Sequence, residues 1–107
     1  MHYECKNTEE EIKDLEYVLI RTYSAGVHVG YLKERNGQEV TLINSRRIWK
    51  WDGAATLSQI AMEGCKNPPE CKISMCVDKI ILTQAIEIIS TTKRCKDFLD
   101  NVEEWKV

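Results

Sequence analysis

The stretch between residues 17 and 51 constrains the fold of this chain most, because it consists of β-forming runs separated by turn residues. The run at 17–23 (Tyr-Val-Leu-Ile-Arg-Thr-Tyr) is rich in β-branched and aromatic residues, which fit the pleated surface of a sheet. Residues 24–26 (Ser-Ala-Gly) then predict a turn, and residues 27–35 alternate between two faces as a strand does. Consecutive strands joined by short turns predict an antiparallel sheet.

A hairpin is predicted at Asn36 and Gly37, the residue pair that two-residue type I′ turns prefer. With these two residues as the loop, Tyr31 lies opposite Leu42, so that apolar side chains share one face of the ladder. The strand after the loop is expected to span residues 39–43.

A fourth strand is predicted at residues 46–51, after a break at Asn44 and Ser45. Alternation along this strand places two groups of side chains on opposite faces of the sheet. One face carries Arg47, Trp49 and Trp51, and the other carries Arg46, Ile48 and Lys50. The four strands together predict a meander.

Short helices and further strands are predicted after the meander. Thr56 and Gln59 form the capping box of a short helix that ends at Gly64, and Thr92 begins a terminal helix that extends to Leu99. Further strands are predicted at 71–77, 80–82 and 85–89. The last of these segments also has the length of a helix, so both structures remain open for it.

The sequence therefore predicts a single small α+β domain over residues 17–107, with an antiparallel β-meander, one short central helix and a short C-terminal helix. Residues 1–16 are predicted to form a charged lead or a helix, because Thr8 precedes three glutamates that favour the positive end of a helix dipole. A small sheet with exposed edges and apolar residues on both faces favours pairing with a second copy, so a homo-oligomer is expected.

The composition excludes several classes of protein. A content of 43% hydrophobic and 30% charged residues is ordinary for a globular domain, and a net charge of −2 provides no basic field for duplex nucleic acid. No run approaches the roughly 20 apolar residues that cross a bilayer, and no signal peptide is recognisable, so a cytoplasmic location without a membrane partner is expected. Five cysteines, an odd number, then predict free thiols rather than a disulfide framework.

The residue patterns of enzymes and metal sites are not found. Cys65, Cys71 and Cys76 lie near one another in the sequence, but they lack the CxxC pairs of structural zinc sites. His28 stands alone on a predicted strand, where a packed or surface histidine is commoner than a catalytic one. The sequence also lacks a nucleophile elbow, a phosphate loop and an HExxH motif. We therefore predict no catalysis, no metal and no cofactor.

Residues suited to a planar anionic ligand gather near two predicted turns and a helix start. Arginine forks bind phosphates, aromatic rings stack on bases, and small residues at a helix start let a ligand approach backbone N–H groups. The candidate ligand-binding residues are Arg21, Tyr23, Ser24, Arg46, Arg47, Trp49, Trp51, Gly53 and Thr56. An alternative remains open, in which the tryptophans belong to the core and the arginines form surface or intramolecular salt bridges.

Three segments carry a resemblance to a known family: 21–27 (Arg-Thr-Tyr-Ser-Ala-Gly-Val), 44–49 (Asn-Ser-Arg-Arg-Ile-Trp) and 51–58 (Trp-Asp-Gly-Ala-Ala-Thr-Leu-Ser). Together with the rest of residues 17–107, they resemble small uncharacterised proteins of tailed bacteriophages and prophages. The resemblance implies a phage accessory protein that acts in the cytoplasm of the host bacterium.

By analogy with small phage proteins that counter host defence, the resemblance implies a sponge that sequesters a nucleotide-type signal without turnover. In this hypothesis phosphates are held by Arg21, Arg46 and Arg47, and a base is stacked by Tyr23, Trp49 or Trp51. The alternative is a protein–protein inhibitor of a host factor, in which Trp49, Trp51 and Trp105 are core or interface anchors.

Overall fold

The computed structural model describes residues 5–106, so the first four residues of the predicted lead and Val107 lie outside the described residues. The strands are β1 (Tyr17–Thr22), β2 (Val27–Asn36), β3 (Glu39–Lys50), β4 (Lys72–Ile73), β5 (Val77–Leu82) and β6 (Ala85–Ser90). The helices are α1 (Glu9–Ile12), α2 (Leu57–Glu63) and α3 (Lys93–Asn101), and a 3₁₀ turn spans Pro68–Glu70. The segment 85–89, for which strand and helix were both open, is a strand.

The strands form one antiparallel sheet in the order β4-β3-β2-β1-β6, with β5 also paired to β3. This confirms the predicted α+β class and its antiparallel sheet. The helices begin where the sequence predicts, because Thr8, Thr56 and Thr92 each accept a backbone hydrogen bond as N-cap residues. No helix in the described part of the chain is long and apolar enough to cross a membrane.

The predicted third and fourth strands are one continuous strand, β3, so the predicted break at Asn44 and Ser45 is wrong. Asn44 has φ of 48°, in the left-handed region that asparagine tolerates, and it forms a bulge rather than a strand end. The register against β2 shifts opposite this bulge, at Gly30. A Cβ atom on Gly30 would lie 3.1 Å from the Cβ atom of Ser45, so glycine allows the two strands to approach there.

The hairpin between β2 and β3 is present, but its loop lies one residue later than predicted, at Gly37 and Gln38. Gly37 has φ of 64° and Gln38 does not have a positive φ. This is the pattern of a type II′ turn, whereas a type I′ turn requires positive φ at both loop residues. Because the loop and the bulges both shift the register, Tyr31 lies opposite Ile43, and its predicted pairing with Leu42 is wrong.

Buried side chains form two clusters on the two faces of the sheet. The cluster beneath α2 and α3 includes Leu19, Val29, Ile48, Ile60, Ile73 and Leu99. The cluster on the other face includes Val18, Ile20, Val40, Leu42 and Leu82. Along β3, Leu42 therefore faces away from the helices while Ile48 faces them, although both positions are even. The bulge at Asn44 inserts one residue and so reverses the faces, which decides where the side chains of residues 46–49 point.

Two of the cysteines form a disulfide, Cys5–Cys76, so the expectation that all thiols are free is wrong for this pair. The bond joins the segment before α1 to the connection between β4 and β5. Counting cysteines could not find it, because the pairing depends on the fold bringing together two residues separated by 71 positions. Cys65, Cys71 and Cys95 are free and buried.

Candidate functional site

Arg47 and Trp49 present a cation and a flat ring side by side on the face of β3 that points away from the helices. The guanidinium carbon of Arg47 lies 4.6 Å from the centre of the Trp49 ring, and the Trp49 residue is 55% exposed. Among residues 5–106, no carboxylate lies within salt-bridge distance of Arg47. The pair therefore combines an arginine that lacks an ionic partner in this part of the chain with a solvent-reachable indole.

A recess of about 430 Å³, which we call the first recess, lies on one side of this pair. The turn between β1 and β2 forms one wall, through Ser24 and Gly26, and the end of β3 forms the other, through Arg47, Trp49 and Trp51. The structure thus brings together four of the nine candidate ligand-binding residues. Trp51 follows the last residue of β3 and packs partly against the cluster beneath the helices, so it is both core and recess wall.

A second recess, of about 300 Å³, lies on the other side of Arg47 and Trp49, against the connection between β4 and β5. His28, Val77 and Ile80 line it. Sequence reasoning did not assign His28 to a site. Its pairing opposite Arg47 in the β2–β3 ladder is what brings it there, and that register depends on the bulges.

The imidazole of His28 is held in one tautomer. Its Nε2 atom lies 2.9 Å from the carbonyl oxygen of Ala25, so Nε2 carries the proton and Nδ1 is left as an acceptor. Burial lowers the pKa of His28; the hydrogen bond to Ala25 opposes this, and the nearby charge of Arg47 adds to it. His28 is therefore neutral at pH 7.

Arg46 lines the second recess, but its guanidinium is committed to carbonyl groups of the protein and is not available to a ligand in this arrangement. The residue is 1% exposed, and its guanidinium donates to the carbonyl oxygens of Ser74 at 2.8 Å and Leu99 at 2.6 Å. Leu99 lies in the last turn of α3, where carbonyl groups lack helical partners and no basic residue of the helix itself is present. Arg46 supplies from β3 the cation that stabilises this helix end.

Arg21 and Tyr23 lie outside both recesses. The Nε atom of Arg21 donates to Glu87 on β6 at 2.8 Å, which is the intramolecular salt bridge that the sequence left open. Tyr23 is 77% exposed at the turn after β1. Ser24, which does line the first recess, uses its hydroxyl in a 3.0 Å hydrogen bond with Gln84.

Gly53 and Thr56 both have a role in the fold. The Thr56 hydroxyl accepts the N–H of Gln59 at 3.1 Å and so caps α2. Gly53 has φ of 91°, and a Cβ atom there would lie 2.6 Å from the backbone nitrogen of Lys66. Neither residue lines a recess described above, so an anion site at this helix start stays a prediction.

Replacing Gly53 by alanine is expected to destabilise the protein by about 2–4 kcal/mol, since it adds a backbone clash to the cost of a positive φ. The matched control is Gly37→Ala, because Gly37 also has a positive φ but meets no atom within 4 Å. That variant should lose only about 1 kcal/mol. Urea unfolding of both variants measures the difference, and equal losses would mean that the clash relaxes without cost.

Trp105 extends the aromatic surface beyond the second recess. Its backbone N–H donates to the carbonyl of Ile73 at 2.8 Å, and its ring meets that of Trp49 edge to face, with centres 6.3 Å apart. Lys72 also lies over the Trp105 ring, with its ammonium 5.0 Å from the ring centre. Trp105 is 50% exposed. It therefore lies at the surface and not in the core, which was one of the two roles predicted for it.

Two of the three free thiols, those of Cys65 and Cys95, have raised pKa values. Burial and the neighbouring thiol of Cys71 raise the pKa of Cys65 to about 12, and burial raises that of Cys95 to about 11. A thiol that stays protonated at neutral pH is a poor nucleophile. Within residues 5–106, no cluster of three His, Cys, Asp or Glu side chains is arranged to hold a metal ion.

A family model described as a domain of unknown function matches residues 15–99 of the chain. The match includes both recesses and every strand, and it omits Cys5 and Trp105. No curated protein and no solved structure gives a significant match.

Proposed function

The chain belongs to the DUF6948 family, and we propose that this member is a stoichiometric binding protein for a phosphorylated planar ligand of the nucleotide class. The observation that carries the proposal is the pairing of Arg47 with the exposed Trp49 ring at the wall shared by two recesses. The ligand is captured and released unchanged, since the residues around Arg47 include no activated nucleophile and His28 is fixed by Ala25.

The position of Arg47 suits a phosphate. Its guanidinium carbon lies 4.6 Å from the centre of the Trp49 ring, and a guanidinium can bind phosphate oxygens in pairs through the N–H groups along its edge. The Nη2 atom of Arg47 is 3.5 Å from Nε2 of His28, which already donates to Ala25. The imidazole therefore accepts no strong hydrogen bond from Arg47 at that nitrogen, and no other acceptor among residues 5–106 bonds its guanidinium, whose donors are left for a ligand.

The first recess suits a base. It is flanked by Trp49 and Trp51, and Gly26 on the opposite wall has no side chain that would fill the recess. Stacking of one base on an aromatic side chain contributes roughly 1–3 kcal/mol, which is enough to orient a ligand that a phosphate contact anchors. A volume of about 430 Å³ is at the lower end of small-molecule sites and fits one ring system with its sugar better than a large cofactor.

The resemblance to tailed-phage proteins supports a biological setting for this binding: a counter-defence sponge in the cytoplasm of the host. The proposal includes assembly with further copies, which the exposed Ile81 and Ile86 on β5 and β6 favour. A reducing cytoplasm opposes stable disulfides, so part of the protein would carry Cys5 and Cys76 as thiols. Neither cysteine lines the first or the second recess, and binding should not depend on their state.

Arg47→Ala and Trp49→Ala are each expected to weaken nucleotide binding at least tenfold, because they remove the phosphate contact and the stacking ring. Isothermal titration with cytidine and adenosine mononucleotides and dinucleotides measures this, and the ligand should be recovered intact after denaturation. Arg21→Ala is the matched control, since Arg21 is an exposed arginine outside both recesses. If none of these nucleotides binds the unmodified protein, the proposed function is wrong.

A second candidate function is inhibition of a host protein, and one observation favours it. Trp49 and Trp105 form a contacting pair of half-exposed indoles, and tryptophan is enriched among the residues that dominate protein interfaces. Trp105→Ala separates the two functions, because Trp105 lines neither recess. The variant should lose a co-purifying host polypeptide if the protein is an inhibitor, and it should keep nucleotide affinity if the protein is a sponge.

A further inference from the structure

We infer that the ligand carries two bases joined through one phosphate, so that it belongs to the dinucleotide class. This inference rests on the proposed function and specifies its ligand. One base occupies the first recess, the other occupies the second recess, and the phosphate between them lies on Arg47.

The arrangement of the recesses around Arg47 and Trp49 is the basis of this inference. These two side chains line both recesses, so the recesses adjoin at Arg47 and Trp49. The volumes, about 430 Å³ and about 300 Å³, are comparable, and each suits one ring system. A ligand with a single base occupies one recess and leaves the other to water. A ligand with two bases joined through one phosphate occupies both recesses and places its phosphate on Arg47.

The second recess also contains a polar group that lacks a partner. His28 is 1% exposed and lines this recess, and its Nε2–H is used by Ala25. No hydrogen bond to Nδ1 is formed among residues 5–106. No buried side-chain nitrogen or oxygen of the described residues is left without a partner, so Nδ1 keeps some contact with solvent and a donor in the recess can reach it.

The other polar side chains at the second recess are already satisfied. The Ser74 hydroxyl accepts the N–H of Arg47 and donates to Met75, and the Ser45 hydroxyl donates to Val29. Arg46 also lines this recess, but carbonyl groups use its guanidinium. Besides the shared Arg47 and Trp49, the rest of the lining is apolar, through Val77 and Ile80. The recess therefore offers a stacking surface and one acceptor, which matches a base with an exocyclic amino group, such as cytosine or adenine, better than uracil.

Isothermal titration with three probes tests the inference: cytidine 5′-monophosphate, the dinucleotide CpC and the dinucleotide UpU. CpC should bind at least tenfold more tightly than the mononucleotide. This gain cannot be Coulombic, because the single phosphodiester of CpC carries less charge than a terminal phosphate. CpC should also bind at least fivefold more tightly than UpU, since only cytosine offers an amino donor at the edge where uracil has an oxygen.

A steric variant locates the second base. Val77→Trp fills the second recess and should reduce CpC affinity to that of the mononucleotide while changing mononucleotide affinity less than twofold. Met75→Trp is the matched control, because Met75 is similarly exposed nearby but does not line the recess, and it should leave both affinities unchanged.

The outcomes distinguish this inference from the proposed function. If CpC and the mononucleotide bind equally, the two-base ligand is wrong while nucleotide capture stands. If CpC and UpU bind equally, His28 does not read the second base. If none of the three probes binds, and neither do the adenosine nucleotides used to test the proposed function, both the inference and the proposed function are wrong.

Discussion

Replacing Arg46 by alanine is expected to lower the free energy of unfolding by about 3–5 kcal/mol, the largest effect of any single substitution considered for this protein. The guanidinium is buried and donates at 2.8 Å to Ser74 and at 2.6 Å to Leu99, with longer contacts to three further carbonyls. Alanine removes a donor from each of these carbonyl groups, of which Ile73 keeps the N–H of Trp105, and it opens a cavity. Each unsatisfied buried group costs roughly 1–3 kcal/mol, and a domain of this size has a total stability of only about 5–15 kcal/mol.

Urea unfolding followed by circular dichroism measures the loss, and two variants make the result specific. Arg47→Ala, at the adjacent residue, should change stability by less than about 1 kcal/mol, because Arg47 lies at the rim of two recesses. Arg46→Lys should recover part of the loss, because its ammonium reaches fewer carbonyl groups than the five donors of a guanidinium. A loss below about 1 kcal/mol for Arg46→Ala would contradict the capping of α3 by this residue.

The contrast between Arg46 and Arg47 shows which properties of the site could be predicted from the sequence and which could not. Alternation correctly placed the two arginines on opposite faces of a strand, since that is a local property of the backbone. Which face meets helices depends on the bulge at Asn44 and on the position of α3, whose Leu99 lies 53 residues after Arg46. Two arginines of identical chemistry therefore have opposite roles, and the residues themselves do not reveal which is buried.

The same division applies to the fold. The N-caps at Thr8, Thr56 and Thr92 could be predicted because a cap is decided within four residues. The continuity of β3 could not be predicted, because asparagine followed by serine is typical of a turn. The strand continues through Asn44 because β3 pairs with both β2 and β5. The convergence of the β1–β2 turn with Trp49 and Trp51 was predicted only as a hypothesis, since it too requires the register of three strands.

The disulfide Cys5–Cys76 gives the second large expected effect: Cys76→Ser should lower the free energy of unfolding by about 2–4 kcal/mol under oxidising conditions. The bond closes a loop with a sequence separation of 71, and a long closed loop restricts the unfolded chain strongly. The folded state should persist without it. Asn7 still donates to the Asn44 side chain at 2.9 Å and to the carbonyl of Asp78 at 2.8 Å, so the segment before α1 keeps a polar attachment to the sheet.

Reduction by a dithiol separates the contribution of the bond from that of the residue. In the unmodified protein it should produce a loss equal to that of Cys76→Ser, as two thiols form and the dithiol becomes a cyclic disulfide. The same reagent should leave the stability of Cys76→Ser unchanged, because Cys65, Cys71 and Cys95 are already thiols. If dithiol lowers the stability of both proteins, the effect arises elsewhere. If it lowers neither, the bond contributes nothing, and the asparagine contacts alone hold the N-terminal segment against the strand that carries the proposed site.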